Sequence, residues 1–516
     1  MQKSLKKSKN PLQAFFQRKE LDQVDLLCIY GFSKEVLQAS KEWREKNKER
    51  LCVFIEEDPK KIKGLFGKKD TSLWQEDPQV QVHLLETPLQ LEPLLKKICW
   101  NSLFLQKEVV SFRPQNRRFE ELSSLLEKIA MGVELTFSTF SDFGLSASAN
   151  VLHNLLNLKE VRGFSSLKGA FANIPAIVCG ASPSLIDNLS ALKKVKNQAL
   201  IFGGGSALNV LSAHAVPFHF ASSVDKEAPF ERFLMQSSFE TPFFYQGQAS
   251  SLNLSLVHAP LVRVLGCSEL PLEKWLDEKL GFSSLGFDGG WTVATFLLSL
   301  AYFLGCRPII MLGMDFSFEK DPYARGVFVE KGVKREFLAV KDRKGKKVWT
   351  QRDWLLARSW IEEFAKKRPG VLIDASRGLC FQGVKRSSLD HLSKQWKGFF
   401  DLPGTIHSAF MRARVISLSQ KKVFSLIKQL NKSLLRSEIA IDREMERGKK
   451  RNSFSFEEVE EKLFDEESYE LLLQPLWNIW TPLFEKNASL QELALHRMLF
   501  FKRVIEEYKK LMEAIC

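Results

Sequence analysis

The feature that most constrains the fold is a run of three short apolar segments between residues 174 and 225, each followed by small or polar residues. Residues 176–179 lead into Gly-Ala-Ser-Pro-Ser-Leu, residues 199–202 lead into Gly-Gly-Gly-Ser, and residues 218–224 end on Asp225. Short apolar runs alternating with helical segments predict parallel strands of an open α/β sheet. Ligands of such sheets bind at the carboxyl ends of the strands.

The turns after the first two predicted strands carry groups suited to binding phosphate. Ser182 stands at a predicted N-cap before Pro183, and the second turn enters a helix predicted for residues 207–214. Glycines allow a ligand to approach the backbone, and the N–H groups of a helix start attract anions. The alternative is an ordinary pair of capped helix starts. The predicted nucleotide-binding residues here are Gly180, Ser182, Ser184, Gly204, Gly205, Ser206 and Asn209.

A second glycine-bearing turn, residues 286–292, precedes an apolar helix predicted for residues 293–304 and a strand predicted for residues 308–313. Gly289 and Gly290 would let a ligand approach, with Thr292 as N-cap and possible ligand donor. A further predicted strand, residues 371–374, leads to Ser376, which could touch a base or sugar.

Four residues are catalytic candidates. The carboxylates can act as bases or metal ligands, and a loop tyrosine can bind phosphate. Each of the three carboxylates has a structural alternative: a helix cap for Asp225, turn chemistry for Asp288 and a buried hydrogen-bonding role for Asp315. Asp225 is also the predicted metal ligand, for magnesium bound with a nucleotide phosphate. The four candidates are Asp225, Asp288, Asp315 and Tyr323.

Periodicity and composition divide the 516 residues into four segments, and the predicted fold class is α/β. Residues 1–110 are predicted to form a small Rossmann-like α/β domain and residues 111–162 a helical connector. Residues 163–386 are predicted to form a central nucleotide-binding domain with a doubly wound Rossmann-like sheet. Glycine becomes rare after residue 387, and residues 387–516 are predicted to form a helical domain.

Charge and cysteine usage bound the partners and the compartment. The formal net charge of +14 predicts either an anionic partner or a basic solvated face. The basic segment 411–451 could contact a membrane surface, whereas nucleic-acid binding would rest on charge alone and is not expected. Eight cysteines without a Cys-x-x-Cys pair favour a reducing cytoplasm, and no apolar run reaches the roughly 20 residues of a membrane span.

Several of these motifs, in this order, resemble those of the MptE-like and motility accessory factor (Maf) family. Residues 178–185 are similar to its "GxGPSL" turn and residues 287–294 to its "GGS/NTV" turn. Residues 309–316 are similar to its "IILVGxDL" strand. The resemblance also includes residues 350–355 and 373–378, and it spans residues 163–383.

The resemblance implies two activities. Maf proteins resemble glycosyltransferases that place nonulosonic acids on flagellin, and their central domain is similar to sialyltransferases that use CMP-activated sugars. MptE-like enzymes pyrophosphorylate 6-hydroxymethyl-dihydropterin with ATP and magnesium. The first activity is the preferred interpretation, with a nucleotide-activated small molecule as donor and a protein as a candidate acceptor. Tyr323 matches the spacing of a loop tyrosine that touches the donor phosphate in the sialyltransferases.

Two departures from the family pattern favour a third interpretation, a non-catalytic nucleotide-binding scaffold. Three glycines, Gly203 to Gly205, stand where relatives often carry Asp, Asn or Thr. The sialyltransferases use a histidine base in a loop after the donor site, and this chain has no histidine between His258 and His391.

Overall fold

The computed structural model describes residues 11–515 except 64–76, 104, 113–116, 158–160, 230, 232–239, 267–269, 283–285, 329–336, 397, 417 and 485–487. The chain divides into two compact units. The first contains Met1–Thr139 and Ile479–Lys486, and the second contains Phe140–Asn478 and Asn487–Cys516.

The first unit is built on a four-stranded parallel sheet in the order β3-β2-β1-β4. Successive residues of β1 enter two different apolar clusters, Leu27 and Ile29 on one face and Cys28 on the other. Both faces are therefore covered, as expected for a parallel sheet. The strands are β1 Leu26–Tyr30, β2 Leu51–Glu56, β3 Val80–Leu84 and β4 Lys107–Ser111; the helices are α1 Pro11–Phe16, α2 Lys34–Ala39, α3 Lys41–Glu45, α4 Pro59–Lys63, α5 Leu91–Asn101 and α6 Arg117–Thr139.

The second unit contains an eight-stranded parallel sheet, two short antiparallel pairs and most of the helices. Its strands are β5 Val161–Arg162, β6 Ala176–Cys179, β7 Leu200–Gly204, β8 Phe220–Ser223, β9 Phe243–Gln246, β10 Leu261–Val264, β11 Ile309–Leu312, β12 Leu338–Lys341, β13 Lys347–Thr350, β14 Leu372–Asp374, β15 Lys385–Arg386 and β16 Val415–Ile416. Its helices are α7 Leu145–Asn157, α8 Leu189–Lys194, α9 Ser206–Ala213, α10 Ser251–Ser255, α11 Pro271–Leu280, α12 Val293–Phe303, α13 Arg352–Lys367, α14 Leu389–Gln395, α15 Leu402–Arg412, α16 Gln420–Arg451, α17 Glu457–Leu463, α18 Gln474–Phe484, which continues into the first unit, and α19 Leu490–Ile515.

The strand order of the large sheet is β10-β9-β8-β7-β6-β11-β14-β15, and every neighbouring pair is parallel. The chain moves outward from β6 to β10 and then returns to the other side of β6 with β11. The order therefore reverses between β6 and β11, which is the position where open α/β sheets usually bind ligands.

These sheets confirm the predicted fold class. The helix predicted for residues 293–304 is observed as α12, Val293–Phe303. Strand β7 continues to Gly204, two residues beyond its predicted end, because Gly203 and Gly204 pair with β8. The division of the sequence into four segments remains a prediction. Among the helices that the structure describes, none combines the length and the apolar character needed to cross a bilayer.

Candidate functional site

Asp315 joins three loops at the carboxyl edge of the large sheet. Its side chain is almost fully buried, with the residue 5% exposed. The carboxylate accepts the hydroxyl of Ser184 at 2.6 Å, the N–H of Ser184 at 3.2 Å and the N–H of Arg377 at 2.8 Å. The N–H of Asp315 donates to Ser182 Oγ at 3.1 Å. Asp315 therefore lies at this carboxyl edge of the sheet, which we call the rim, and its contacts are those of a positioning residue.

Ser182 stands at its predicted N-cap position, before the 3-10 helix Pro183–Asn188, but makes no capping hydrogen bond with its side chain. The reason is that the Asp315 carboxylate already accepts the N–H of Ser184. A phosphate bound at this N–H would compete with that carboxylate, so Ser184 is less available to a nucleotide than the sequence indicates.

The backbone itself closes the space between β6 and β11. Gly180 N–H donates to Leu312 at 2.8 Å, and Ser182 N–H donates to Gly313 at 3.0 Å. A Cβ atom on Gly180 would overlap the carbonyl oxygen of Gly313. Gly180 is thus required for the approach of two loops, which is a packing role.

Ser376 extends the same network to β14. Its hydroxyl accepts the N–H of Met314 at 3.0 Å, and its own N–H donates to Asp374 Oδ1 at 2.8 Å. Burial raises the pKa of the Asp374 carboxyl; the hydrogen bond from the Ser376 N–H and the charge of Arg343, with Nη2 3.5 Å from Asp374 Oδ2, partly offset this effect. Ser376 lies next to the Asp315 network and is 1% exposed.

The loop after β11 brings Tyr323 to the turn after β6. Ala324 N–H donates to the carbonyl of Ala181 at 2.8 Å, which fixes the neighbouring Tyr323 beside this turn. The Tyr323 ring is half-buried and meets the ring of Trp354 edge to face, with 5.9 Å between centroids. Tyr323 therefore lies in a loop that is held against the turn after β6.

The turn after β7 has a different character. Gly205 is the N-cap of α9 with φ of +51°, and the start of α9 has no side-chain cap. Gly205 N–H is bonded to the carbonyl of Ser222 at 3.2 Å. The Ser184 N–H is bonded to Asp315 and α12 is capped by Thr292, whereas Gly205 has no side chain that could cap the start of α9.

The second glycine turn is held by Asp288 and by a capping box. Asp288 Oδ1 accepts the N–H of Gly290 at 2.9 Å, and Oδ2 accepts Nε1 of Trp360 at 2.8 Å. Thr292 and Thr295 cap each other's backbone N–H, which confirms the predicted N-cap. Asp288 is exposed, but both of its carboxylate oxygens position this turn.

The two glycine turns adjoin. A Cβ atom on Gly204 would lie 2.8 Å from Cγ1 of Val293 in the first turn of α12. Asn209 lies nearby on α9, donates to the carbonyl of Glu231 at 3.3 Å and is 6% exposed. Its side-chain oxygen has no hydrogen-bond partner within the described residues. This arrangement leaves a buried acceptor close to an uncapped helix start.

The comparisons with known proteins assign the segment that contains this rim. Residues 149–321 match the family model described as 6-hydroxymethylpterin diphosphokinase MptE-like. This segment is therefore similar to the MptE-like family. The resemblance drawn from the sequence motifs is thereby confirmed. The MptE-like segment contains all the predicted site residues except Tyr323 and Ser376.

The fold likeness extends well beyond the MptE-like segment. The chain is similar to the structure of MAf glycosyltransferase from Magnetospirillum magneticum AMB-1, with a TM-score of 0.53 and 11% sequence identity. The similarity covers 95% of this chain and 78% of that one. Comparison with curated proteins gave no match. At this identity, the likeness establishes a shared fold.

Asp225 is an exposed carboxylate at the MptE-like rim. It follows β8, and its carbonyl accepts the N–H of Ser250 at 3.1 Å. Within the described residues, no cluster of three or more His, Cys, Asp or Glu side chains could hold a metal ion. A magnesium ion at Asp225 would take its other oxygen ligands from water, backbone carbonyls or a bound nucleotide.

The predicted residues thus fall into two groups on the MptE-like rim. One group lies in or beside the hydrogen-bonded network around Asp315 and contains Gly180, Ser182, Ser184, Asp315, Tyr323 and Ser376. The other is a glycine-lined region made of Gly204, Gly205, Ser206, Asn209, Gly289, Gly290 and Thr292, with Asp225 and Asp288 at its margins. Sequence reasoning included Trp354 in the resemblance at residues 350–355 but assigned neither Trp354 nor Trp360 to the site, although Trp354 contacts Tyr323 and Trp360 contacts Asp288.

Proposed function

We propose that the chain is a transferase that binds a nucleotide at the glycine-lined region, and that it acts as a Maf-like glycosyltransferase. Its donor is a CMP-activated acidic sugar of the nonulosonic type, and its acceptor is a protein. The uncapped start of α9, next to the second glycine turn, carries this proposal. The fold likeness over 95% of the chain supports the glycosyltransferase over a small-molecule kinase.

In this proposal the phosphate of the nucleotide lies at Gly205 and Ser206. The N–H groups of the first turn and the positive end of the α9 dipole would stabilise the charge that develops on the leaving phosphate. Asn209 Oδ1 is a buried acceptor without a partner among the described residues, and it would accept a hydrogen bond from a hydroxyl or amino group of the nucleotide. Gly289 and Gly290 would allow the ligand to lie against the second turn.

The chemical step needs a group that removes a proton from the acceptor. Asp225 is proposed for this role, because it is exposed at the end of β8. Tyr323, fixed beside the first turn, would donate a hydrogen bond to the donor phosphate. The network around Asp315 would position both loops.

The second candidate is a pterin diphosphokinase that transfers the diphosphate of ATP with magnesium. The description of the family model over residues 149–321 favours it, and Asp225 would then be the metal ligand. CMP release from a CMP-nonulosonate would support the glycosyltransferase. Magnesium-dependent AMP formation from ATP and 6-hydroxymethyl-dihydropterin would support the kinase. Binding without turnover in both assays would support the non-catalytic scaffold.

The position of the nucleotide is tested by Ser206→Asp in the full chain. An acidic residue in the first turn of a helix stabilises it by up to about 1 kcal/mol, so the variant should melt at or above the wild-type temperature. The same charge would repel a phosphate at this turn. We expect the thermal shift produced by the preferred ligand among CMP, CTP, ATP, GDP and UDP with magnesium to be lost.

Ser206→Asn is the matched control, because it has the same size and no charge. It should keep most of the nucleotide-induced shift. Equal shifts in wild type and Ser206→Asp would place the phosphate elsewhere and refute the proposed site.

A further inference from the structure

The opposite, amino-terminal edge of the large sheet carries an unusual repeat. Arg307-Pro308 directly precedes β11, and Arg368-Pro369 precedes β14 by two residues. These strands are neighbours, and Ile309 N–H donates to the carbonyl of Val371 at 2.9 Å. The connection from α12 to β11 and the connection from α13 to β14 therefore each carry an arginine at the amino-terminal edge of the sheet.

Both arginines lie over one aromatic ring. The guanidinium carbons of Arg307 and Arg368 are each 4.7 Å from the ring centroid of Tyr302, the penultimate residue of α12. Arg368 is also 4.2 Å from the ring centroid of Phe364. Because both guanidinium carbons are measured from the same ring centroid, the distance between them is at most twice the distance from either one to that centroid. Hydrogen bonding from Arg307, more than from Arg368, lowers the pKa of the Tyr302 hydroxyl.

These residues line an open cavity of about 600 Å³, which we call the basic pocket. Eight residues line it, including Tyr302, Arg307, Lys367 and Arg368, and none of the eight is acidic. Within the described part of the chain, no carboxylate lies at ion-pair distance from these three cations. The cations therefore face a cavity without a counter-ion from the protein.

A simpler explanation is that cations at the ends of α12 and α13 compensate the helix dipoles. That effect needs single charges near the last carbonyls. It does not account for two guanidiniums from separate connections meeting over one ring, or for a cavity between them. A guanidinium stacked on an aromatic face keeps its N–H edges available to planar oxygen acceptors. Two such edges and an ammonium suit an anion with several oxygens.

We propose that the basic pocket binds a diphosphate-bearing small molecule. Its volume lies within the range of about 300–1,000 Å³ typical of small-molecule sites. The two guanidiniums would each hold phosphoryl oxygens in a forked hydrogen bond, and Lys367 would add a point charge. This site lies at the edge of the sheet opposite the glycine-lined region, and its existence does not depend on the proposed function.

The experiment uses the full chain labelled with fluorotyrosine and titrated with pyrophosphate. The sequence has only six tyrosines, so the ¹⁹F resonances of Tyr302 and Tyr323 can be assigned with Tyr302→Phe and Tyr323→Phe. Tyr302 reports on the basic pocket, and Tyr323 reports on the rim beside β6. We expect a saturable shift of the Tyr302 resonance that sodium chloride at equal ionic strength does not reproduce.

Arg307→Ala/Arg368→Ala should raise the pyrophosphate concentration at the midpoint of this shift by at least about tenfold, because two charge-assisted forked hydrogen bonds are lost. Arg307→Lys/Arg368→Lys keeps both charges and is the safer variant for folding. It should raise the midpoint concentration by a smaller factor. Lys193→Ala/Lys194→Ala removes two exposed charges from the last turn of α8 and is the matched control; it should leave the midpoint unchanged.

The proposal is overturned by a Tyr302 resonance that does not move with millimolar pyrophosphate. It is also overturned by a midpoint that is the same in wild type and in both arginine variants. A shift at Tyr323 alone would overturn this proposal while leaving the nucleotide site at the rim intact, so the two proposals fail independently.

Discussion

Replacing Asp315 by asparagine decides whether this carboxylate holds the rim together or takes part in chemistry. One carboxylate oxygen accepts the Ser184 hydroxyl and the Arg377 N–H, and the other accepts the Ser184 N–H. Asparagine has the same shape, but its amide nitrogen cannot accept a hydrogen bond. Whichever way the amide is turned, at least one backbone N–H loses its acceptor.

The expected cost follows from these contacts. A hydrogen bond to a charged group contributes about 1.5–3 kcal/mol, and a buried donor left without a partner costs about 1–3 kcal/mol. Asp315→Asn loses one such bond and weakens the other two, so we expect a local destabilisation of about 2–4 kcal/mol. Asp315→Ala loses all three and should cost about 4–5 kcal/mol.

Hydrogen exchange measured by mass spectrometry gives the effect locally, since the chain has two compact units and global unfolding need not be a single transition. Peptides covering residues 182–188 and 374–380 should exchange about 30- to 1,000-fold faster in Asp315→Asn, the factor that corresponds to 2–4 kcal/mol. Asp321→Asn, at an exposed position six residues later, is the control and should change stability by less than about 0.5 kcal/mol.

The reasoning is refuted if Asp315→Asn exchanges like wild type. Unchanged exchange together with complete loss of transferase activity would identify Asp315 as a catalytic residue, as the sequence alone allowed. Faster exchange with a matching partial loss of activity would identify it as a positioning residue.

Two further predictions test the packing of the second unit. Gly180→Ala should destabilise it by about 1–3 kcal/mol in thermal melts, because the added Cβ overlaps the Gly313 carbonyl oxygen, whereas Gly398→Ala, which meets nothing within 4 Å, should be neutral. Burial raises the pKa of Asp277 to about 6, against the opposing charge of Arg263, so the folded state binds a proton more tightly than the unfolded state. Stability should therefore rise as the pH falls from 7 towards 5, by at most about 1.4 kcal/mol per unit, and Asp277→Asn should flatten this dependence in urea titrations.

Local patterns determined the elements that the sequence predicted well. Helix α13 has a strong amphipathic period and Thr292 precedes an apolar run, so each could be predicted without its tertiary neighbours. Strand β4 was missed, because Lys107–Ser111 contains only two apolar residues. It is an edge strand whose pairing with β1 depends on residues about 80 positions earlier.

Tertiary contacts explain what sequence reasoning could not predict at the site. The end of a strand correctly marked Asp315, but the acceptor of the Ser184 N–H lies 131 positions away in the chain. Propensity assigned the capping role to Ser182 because serine is common at N-caps. The carboxylate from the neighbouring strand supplies a stronger acceptor, and this replaced the local cap.

The three glycines after β7 stand in the structure for reasons that do not require a lost function. A Cβ on Gly203 would lie 3.0 Å from Leu208 and Leu211, and a Cβ on Gly204 would lie 2.8 Å from Val293. Both glycines are therefore explained by the packing of helices against β7, and Gly205 by its φ of +51°. Acidic or amide side chains at these positions would clash with the helices here. Because packing explains the triple glycine, it supports a non-catalytic scaffold less strongly than the sequence alone indicates. The absent histidine becomes the main argument for that interpretation. Because Asp225 offers an exposed carboxylate at the same rim, that argument depends on whether the Asp225 carboxylate can replace the histidine as base.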